Sequence, residues 1–334
     1  MRSRPAIAAT LALGGCSGAQ TPLAPVADQA GSQYHLLLLM LWVCGVMYLL
    51  VIGFLIIGLW RARGRHAAAP PPLLEPADDR LRRLLAVWAA VVVIGLLVLA
   101  GGSFLVERSL ALAQANESLR IRVTAHQYWW RIAYRDPASG RWVETANELH
   151  LPVARTARIE LGSADVIHSF WVPNISGKMD VIPGRANAID LTPRRLGWFR
   201  GQCAEFCGPQ HAHMGFDVKV ETSAAFDAWL AAQARPAAAP RDAEQARGME
   251  VVTREQCAMC HTVRGTAAIG RNGPDLTHIG SRHSIAAGTL TMTRAHLQGW
   301  IAQPQAIKPG TMMPTVTLSP ADANAAAAYL ESLK

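Results

Sequence analysis

Two long stretches without a charge restrict what this chain can fold into. Leu36 through Leu59, closed by Trp60, is the first, and Leu84 through Val106 is the second. Each exceeds the roughly 20 apolar residues that span a bilayer as a helix. A pair of buried core helices is the alternative, and their length and lack of charge argue against it. A transmembrane helix hairpin is therefore expected over 34–106, with spans at 34–60 and 84–106. Between them lie Arg61, Arg63, Arg65, Arg80, Arg82 and Arg83 against Glu75, Asp78 and Asp79. Basic residues beside membrane spans favour the cytoplasmic side, which leaves both chain ends outside.

The formal charge of +8 raises the question of nucleic acid. Residues 1–106 contribute +4, residues 107–230 only +1 and residues 241–334 only +2. The excess thus flanks the apolar segments. No basic face is expected in the globular parts, and no nucleic-acid partner. Ahead of the hairpin, Arg2 and Arg4 precede a short apolar stretch ending Leu13-Gly14-Gly15-Cys16. Residues 1–16 read as a lipoprotein-type signal ending at Cys16, with an ordinary signal peptide cut elsewhere as the rival.

Beyond residue 107 short apolar stretches alternate with turn signals such as Asp136-Pro137, Val172-Pro173-Asn174 and Pro183-Gly184. Ile121–Val123, Ala157–Leu161 and Ala188–Leu191 read as strands, and 107–230 as an all-β sandwich or barrel. The Ala- and Pro-rich residues 231–247 read as a linker. Residues 248–334 read as helical, with Ser319-Pro320 opening a capped helix through Leu333.

The six cysteines do not suit a disulfide scaffold, because four fall in tight pairs beside His and Met. In Cys203-Ala204-Glu205-Phe206-Cys207-Gly208-Pro209-Gln210-His211-Ala212-His213-Met214 one loop offers two thiolates, imidazole and thioether. Zinc has little use for methionine, whereas copper takes soft thiolate and thioether with imidazole. The spacing C-x3-C-x3-H-x2-M lets the cysteines bridge two copper ions. A second histidine must come from elsewhere, and His168 in Asp165-Val166-Ile167-His168-Ser169-Phe170-Trp171 is the candidate. Buried free thiols are the bland reading of the cysteines. His213 competes with His211, while His126 and His150 read as structural.

These segments, with His126-Gln127-Tyr128-Trp129-Trp130 and Ile182-Pro183-Gly184-Arg185, resemble the CuA domain of cytochrome c oxidase subunit II, a cupredoxin-like fold. The likeness covers both apolar segments and the β region. It implies that Cys203 and Cys207 bridge the coppers, that His168 and His211 cap them, and that Met214 is a weak ligand. It implies that Glu205 ligates through its carbonyl while its carboxylate binds magnesium or manganese with subunit I. Tyr128 departs from the tryptophan usual where a soluble cytochrome delivers electrons. Tyr128 and Trp129 are the candidates for where electrons enter, although Trp129, Trp130 and Trp171 can equally be packing residues. A glutamate that often precedes the second helix in the family has only Glu75, Asp78 and Asp79 as candidates.

Cys257-Ala258-Met259-Cys260-His261 is the C-x-x-C-H attachment pattern of c-type haem, with His261 the proximal ligand. Asn272-Gly273-Pro274-Asp275-Leu276 resembles the cytochrome c loop whose Pro carbonyl orients that histidine. Lys308-Pro309-Gly310-Thr311-Met312-Met313-Pro314 resembles the axial methionine loop. Met313 fits the family spacing as sixth ligand, with Met312 its neighbour as rival. Trp300 is expected to pack beneath the haem, and Met249, Met259 and Met292 to be core or surface. The whole resembles class I cytochrome c, as fused in caa-type oxidases.

Closed sites suit electron relay rather than bond-making. The resemblance implies a route from an external cytochrome c or quinol–cytochrome c reductase through haem c and CuA to subunit I, with subunit III also a partner. It implies oxygen reduction to water with proton translocation in subunit I. It also implies a multi-pass protein in lipid of the bacterial inner membrane, with both metal domains on the periplasmic side. An electron carrier without an oxidase, a nitrous-oxide reductase and a quinol-oxidase subunit are the other classes. The second needs many more histidines than these 11, and the third lacks the copper ligands.

Overall fold

A computed structural model describes residues 18–63, 79–112, 119–137, 139–254 and 256–334. The Cys16 signal and two of the candidate acids, Glu75 and Asp78, lie outside the described residues. Two compact units result, one of residues 31–115 and one of residues 1–30 with 116–334.

The smaller unit contains α1 (Asp28–Ala62) from residue 31 onward and α2 (Asp79–Leu112), both helices longer than the expected spans. Each is long and apolar enough to cross a membrane. The helices run antiparallel. A Cβ at Gly95 would touch Val43 at 3.6 Å, and one at Gly102 would collide with Leu39 at 2.6 Å. Glycines seven residues apart thus give α1 a smooth track, the small-residue logic of helix contact in lipid. Outward lie Trp42, Phe54 and Trp60, all more than 70% exposed, as side chains meant for an apolar solvent should be. Asp79, the described acid of the three candidates, opens α2 in an exposed pair with Arg82.

In the larger unit the expected sandwich is present. One sheet orders β3 (Trp142–Ala146), β2 (Trp129–Arg135), β1 (Leu119–His126), β5 (Ala157–Ser163) and β8 (Asn187–Leu191). The other orders β4 (Glu148–Pro152), β10 (Gly215–Glu221), β9 (Gly197–Cys203), β6 (His168–Trp171) and β7 (Met179–Val181). β1 alternates buried Leu119, Ile121, Val123 and Ala125 with more open neighbours, the period-2 pattern of a one-sided core. Trp130, Phe170 and Phe216 fill that core edge to face and stacked, with centroids 5.0–5.9 Å apart. Residues 18–30 also pack on this sandwich, where Asn174 donates to the carbonyls of Gly18 and Ala24.

α3 (Ser223–Gln233) follows β10, capped by the Thr222 hydroxyl. α4 (Ala243–Arg254), α5 (Cys257–Cys260), α6 (Arg294–Ala302), α7 (Pro304–Ile307) and α8 (Pro320–Ser332) complete the chain. The expected linker 231–247 is shortened from both sides, because α3 and α4 reach into it and leave only 234–242 outside helices. It is also fastened down: Ala237 N–H donates to the Arg264 carbonyl, and Arg264 Nη2 donates to the Gln233 carbonyl. A two-stranded ribbon, β11 (Ser284–Ile285) with β12 (Leu290–Thr291), interrupts the helices. α4 crosses α8 at Gly248, where a Cβ would strike the Ala325 carbonyl and Tyr329. Trp300 is partly buried against the core these helices share.

Candidate metal and haem sites

The sandwich brings the copper-type residues together at one end of the second sheet. Cys203 closes β9 and His168 opens β6, and the two strands pair there through Phe170 and Cys203. The loop from β9 to β10 supplies Cys207, His211 and Met214. The Cys203 and Cys207 sulfurs stand 3.8 Å apart, far beyond the roughly 2.05 Å of a disulfide. His168 Nδ1 lies 3.7 Å from the Cys203 sulfur, and His211 Nδ1 lies 3.7 Å from that of Cys207. Met214 Sδ is 3.8 Å from Cys207, and the Glu205 carbonyl is 3.2 Å from Cys203. All six residues named from the sequence thus converge.

The donor set fits copper. Metal–thiolate bonds of about 2.3 Å let one ion touch both sulfurs whenever they stand less than about 4.6 Å apart. Two soft thiols, two imidazole nitrogens and a thioether are a copper set. His213 turns away: it is exposed, and its Nδ1 bonds Gln210 Oε1 at 2.9 Å. The interaction between the two sulfurs favours the Cys203 thiolate and holds the Cys207 proton more tightly. Burial lowers the pKa of His168, but bonds to Cys203 and Asp165 outweigh this and raise it. Asp165 holds His168 Nε2 at 2.7 Å, so Nδ1 faces the sulfurs. The bond to His168, with those from the amides of Gln127 and Val166, keeps the carboxylate below the usual range despite burial.

Tyr128 and Trp129 are both buried. Tyr128 lies under Gly208, whose Cβ would come within 2.5 Å of the hydroxyl. Gly208 has φ of +124°, so only glycine suits both demands. Trp129 stacks on His126 at 4.5 Å and packs against Ala287 beyond β11. Glu205 is exposed beside Phe206.

In the helical domain His261 donates from Nδ1 to the Pro274 carbonyl at 2.8 Å, leaving Nε2 for a ligand. Gly273 lies flat against that ring, where a Cβ would be 2.6 Å from Cε1. The loop is knitted over the C-x-x-C-H turn by Gly273 N–H to Cys260 O and Gly270 N–H to His261 O. A ring so fixed, with thiols at Cys257 and Cys260 beside it, fits a covalent haem. Burial lowers the His261 pKa, favouring the neutral imidazole that binds iron. Met312 is 71% exposed whereas Met313 is half-buried. Gln305 Nε2 holds the carbonyls of Thr311 and Met313 at 2.7 and 2.8 Å.

Asp165 and Gln305 were not picked out in the sequence as site residues. Asp165 sits three residues before His168, a spacing that could have flagged it. Gln305 carries no local signal, because its partners form only once the loop folds back.

Two family models match the chain. "Cytochrome C oxidase subunit II, periplasmic domain" covers residues 134–221, and "Cytochrome c" covers residues 245–334. The cytochrome c oxidase subunit 2 of Alkalihalophilus pseudofirmus is 32% identical over 97% of this chain and 94% of its own length. That of Bacillus sp. strain PS3 is 32% identical over 75% of this chain and 74% of its own. Among solved structures, the periplasmic domain of subunit II of the cytochrome oxidase of Bradyrhizobium japonicum is 31% identical. It covers 35% of this chain and 95% of its own, with a TM-score of 0.33.

This is an electron-transfer protein with a copper-type β domain and a cytochrome c domain in one polypeptide. The chain belongs to the cytochrome c oxidase subunit 2 family, in the fused arrangement of caa-type oxidases. The first domain implies CuA and the second haem, and a place in respiratory electron transport follows. Two apolar helices and this family fit a membrane protein with a periplasmic domain.

Proposed function

We propose that electrons from an external donor, a cytochrome c or a quinol–cytochrome c reductase, enter at the haem domain. They cross to the copper loop and leave toward subunit I, where oxygen is reduced to water with proton translocation. Cys257 and Cys260 would hold haem covalently, with His261 and Met313 as axial ligands. His168, Cys203, Cys207, His211, Met214 and the Glu205 carbonyl would hold the binuclear copper. Bound there, both groups supply one-electron redox chemistry. The chain's own residues position and insulate them: Asp165 and the Pro274 carbonyl aim the two imidazoles, and Gln305 shapes the methionine loop. The exposed Glu205 carboxylate would share magnesium or manganese with subunit I. The hairpin would cross the bacterial inner membrane twice, with both domains on the periplasmic side, subunit III nearby and Cys16 acylated.

The observation that carries this reading is the docking of the haem domain on the β domain beside the copper loop. Gly215 N–H, one residue past Met214, donates to the Ala287 carbonyl at 3.0 Å. Arg200 donates to the Gly288 carbonyl at 2.9 Å, and Trp129 packs on Ala287. Trp129 therefore faces the internal donor, whereas Tyr128 underlies the copper loop. Fusion alone would raise the local donor concentration to roughly millimolar, and docking spares the search for orientation.

Rapid mixing with reduced donor tests the route on the intact protein and a chain ending near Gln233. The haem absorbance should change first in the intact protein. The copper signal should follow at a rate independent of donor concentration. Equal uptake of electrons by the shortened chain would refute the haem domain as the point of input.

A further inference from the structure

Lys308 is only 2% exposed, although it lies in a loop that includes Met313. Its ammonium donates to two backbone carbonyls, that of His213 at 2.7 Å and that of Ala286 at 3.0 Å. The first belongs to the copper loop and forms the peptide unit leading into Met214. The second belongs to the turn of the β11–β12 ribbon, where Ala286, Ala287 and Gly288 all take positive φ. One side chain therefore ties together the methionine loop, the copper loop and the ribbon turn that docks beside it.

Burying an ammonium is costly unless its partners compensate. Here both hydrogen-bond acceptors are neutral carbonyls. Desolvation lowers the Lys308 pKa to about 8. A hydrophobic side chain would fill the same space without that cost. What it could not do is hold the two carbonyls in register. The neighbouring contacts reinforce this. Gln210 Nε2 donates to the Pro309 carbonyl at 2.7 Å, and a Cβ at Gly310 would touch Pro209 at 3.5 Å. Two consecutive residues of one loop, Lys308 and Pro309, thus meet the copper loop on both sides of His211.

We propose that Lys308 is a positioning residue for electron transfer between the domains, fixing the methionine loop on the copper loop through the His213 carbonyl. This rests on the reading that electrons cross from the haem domain to the copper loop. Lys308 ligates nothing itself. It keeps a short, fixed path of bonds and one hydrogen bond between the two ligand loops, and it stops the ribbon turn from lifting off Gly215.

The test compares the full-length wild type, Lys308→Met and Lys308→Gln, each in the assembled oxidase. Hydrogen exchange at the Gly215 amide reads the docking directly and does not depend on turnover. Equilibrium visible and near-infrared spectra read the two ligand sets. Rapid mixing reads the rate of the haem-to-copper step. A hydrogen bond from a charged donor contributes about 1.5–3 kcal/mol, so Lys308→Met should raise Gly215 exchange by about tenfold or more. The transfer rate should fall by a similar factor with both spectra unchanged. Lys308→Gln, which keeps a shorter donor, should be intermediate and serves if the Met variant does not assemble. Wild-type exchange and rate in the variants would overturn the proposal. So would loss of the methionine–haem band alongside the slower rate, because the lysine would then serve only its own loop. If the chain ending near Gln233 takes up electrons as fast as the intact one, the route is wrong. The exchange measurement would still decide whether Lys308 clamps the loops.

Discussion

Replacing His150 by Gln would remove a buried positive charge and leave its surroundings nearly isosteric. His150 is 2% exposed and stacks on Trp229 at 3.8 Å. Its Nδ1 bonds Glu221 at 2.6 Å and its Nε2 bonds Glu148 at 2.8 Å. With a carboxylate on each nitrogen, the doubly protonated ring is favoured. Burial pulls the His150 pKa down, but the two carboxylates outweigh it and the net direction is up. Burial pushes both carboxylates up, yet their bonds to His150 bring the net direction down. Removing one partner of a buried charge pair costs about 3–5 kcal/mol. Glu221 would keep Lys219 at 3.1 Å and Glu148 would keep the His283 amide at 2.6 Å, so the lower end, about 3 kcal/mol, is expected. In a folded unit of this size that lowers Tm by roughly 6–12 °C. The imidazolium's contribution is full below the ordinary histidine value of 6.5 and fades as pH rises through the raised folded value. The carboxylates' contribution is full above their ordinary 4.5 and fades as pH falls through their lowered folded values. The gap between wild type and variant should therefore be widest between pH 4.5 and 6.5 and narrow on both sides. Calorimetry of the detergent-solubilised protein across pH measures it. A gap under about 1 kcal/mol that does not vary with pH would refute a charged His150.

Cys207→Ser should abolish the near-infrared absorption of a mixed-valence copper pair, and metal analysis finding both ions retained would contradict the site. Asp165→Asn should weaken copper binding by roughly 10–100-fold, since it removes the negative charge beside His168 Nε2 while leaving every ligand in place, and chelator competition measures this. Met313→Ala should remove the sulfur-to-iron band and lower the haem potential, whereas Met312→Ala should do neither; the reverse result would exchange their roles.

The fold was legible where periodicity was strong. Ile121–Val123, Ala157–Leu161 and Ala188–Leu191 all lie inside observed strands, and Ser319 caps α8 through its hydroxyl at 3.1 Å from the Asp322 amide. The donors that converge at the copper-type site were legible because five of the six, Cys203, Glu205, Cys207, His211 and Met214, lie in one loop, so chemistry and spacing coincided. The limits of the linker were not. Ala-rich residues 231–247 offer equally good helix and connector composition, and the choice fell to packing: Leu230 and Gln233 are buried on one side and Gly248 on the other. The ribbon Ser284–Ile285 with Leu290–Thr291 is too short for any alternation to register. Least legible was the docking of the haem domain, where Gly215 N–H meets the Ala287 carbonyl and the side chains of Arg200 and Lys308 reach the backbone carbonyls of Gly288 and His213. Backbone partners leave no trace in residue type.

The copper loop has two faces, and the division suits a relay. Pro209, Gln210 and the His213 carbonyl meet residues 308–310 of the haem domain. Glu205 and Phe206 stay exposed, the latter by 75%, with Val166 and Ile167 also open to solvent. Phe206 leans edge-on to His211 at 5.8 Å. An exposed phenylalanine with two exposed β-branched side chains and a carboxylate is poor surface for a free domain and good surface for a protein partner. If the haem domain is the donor, as proposed, a loop whose one side it already covers gains nothing from a second donor there. Among the described residues the side that carries Glu205 remains open, and on the proposed route it is the surface that would meet subunit I. Charge reversal at Glu205 should then weaken assembly with subunit I while leaving haem-to-copper transfer within the chain intact, and slowed internal transfer in that variant would place both functions on one face.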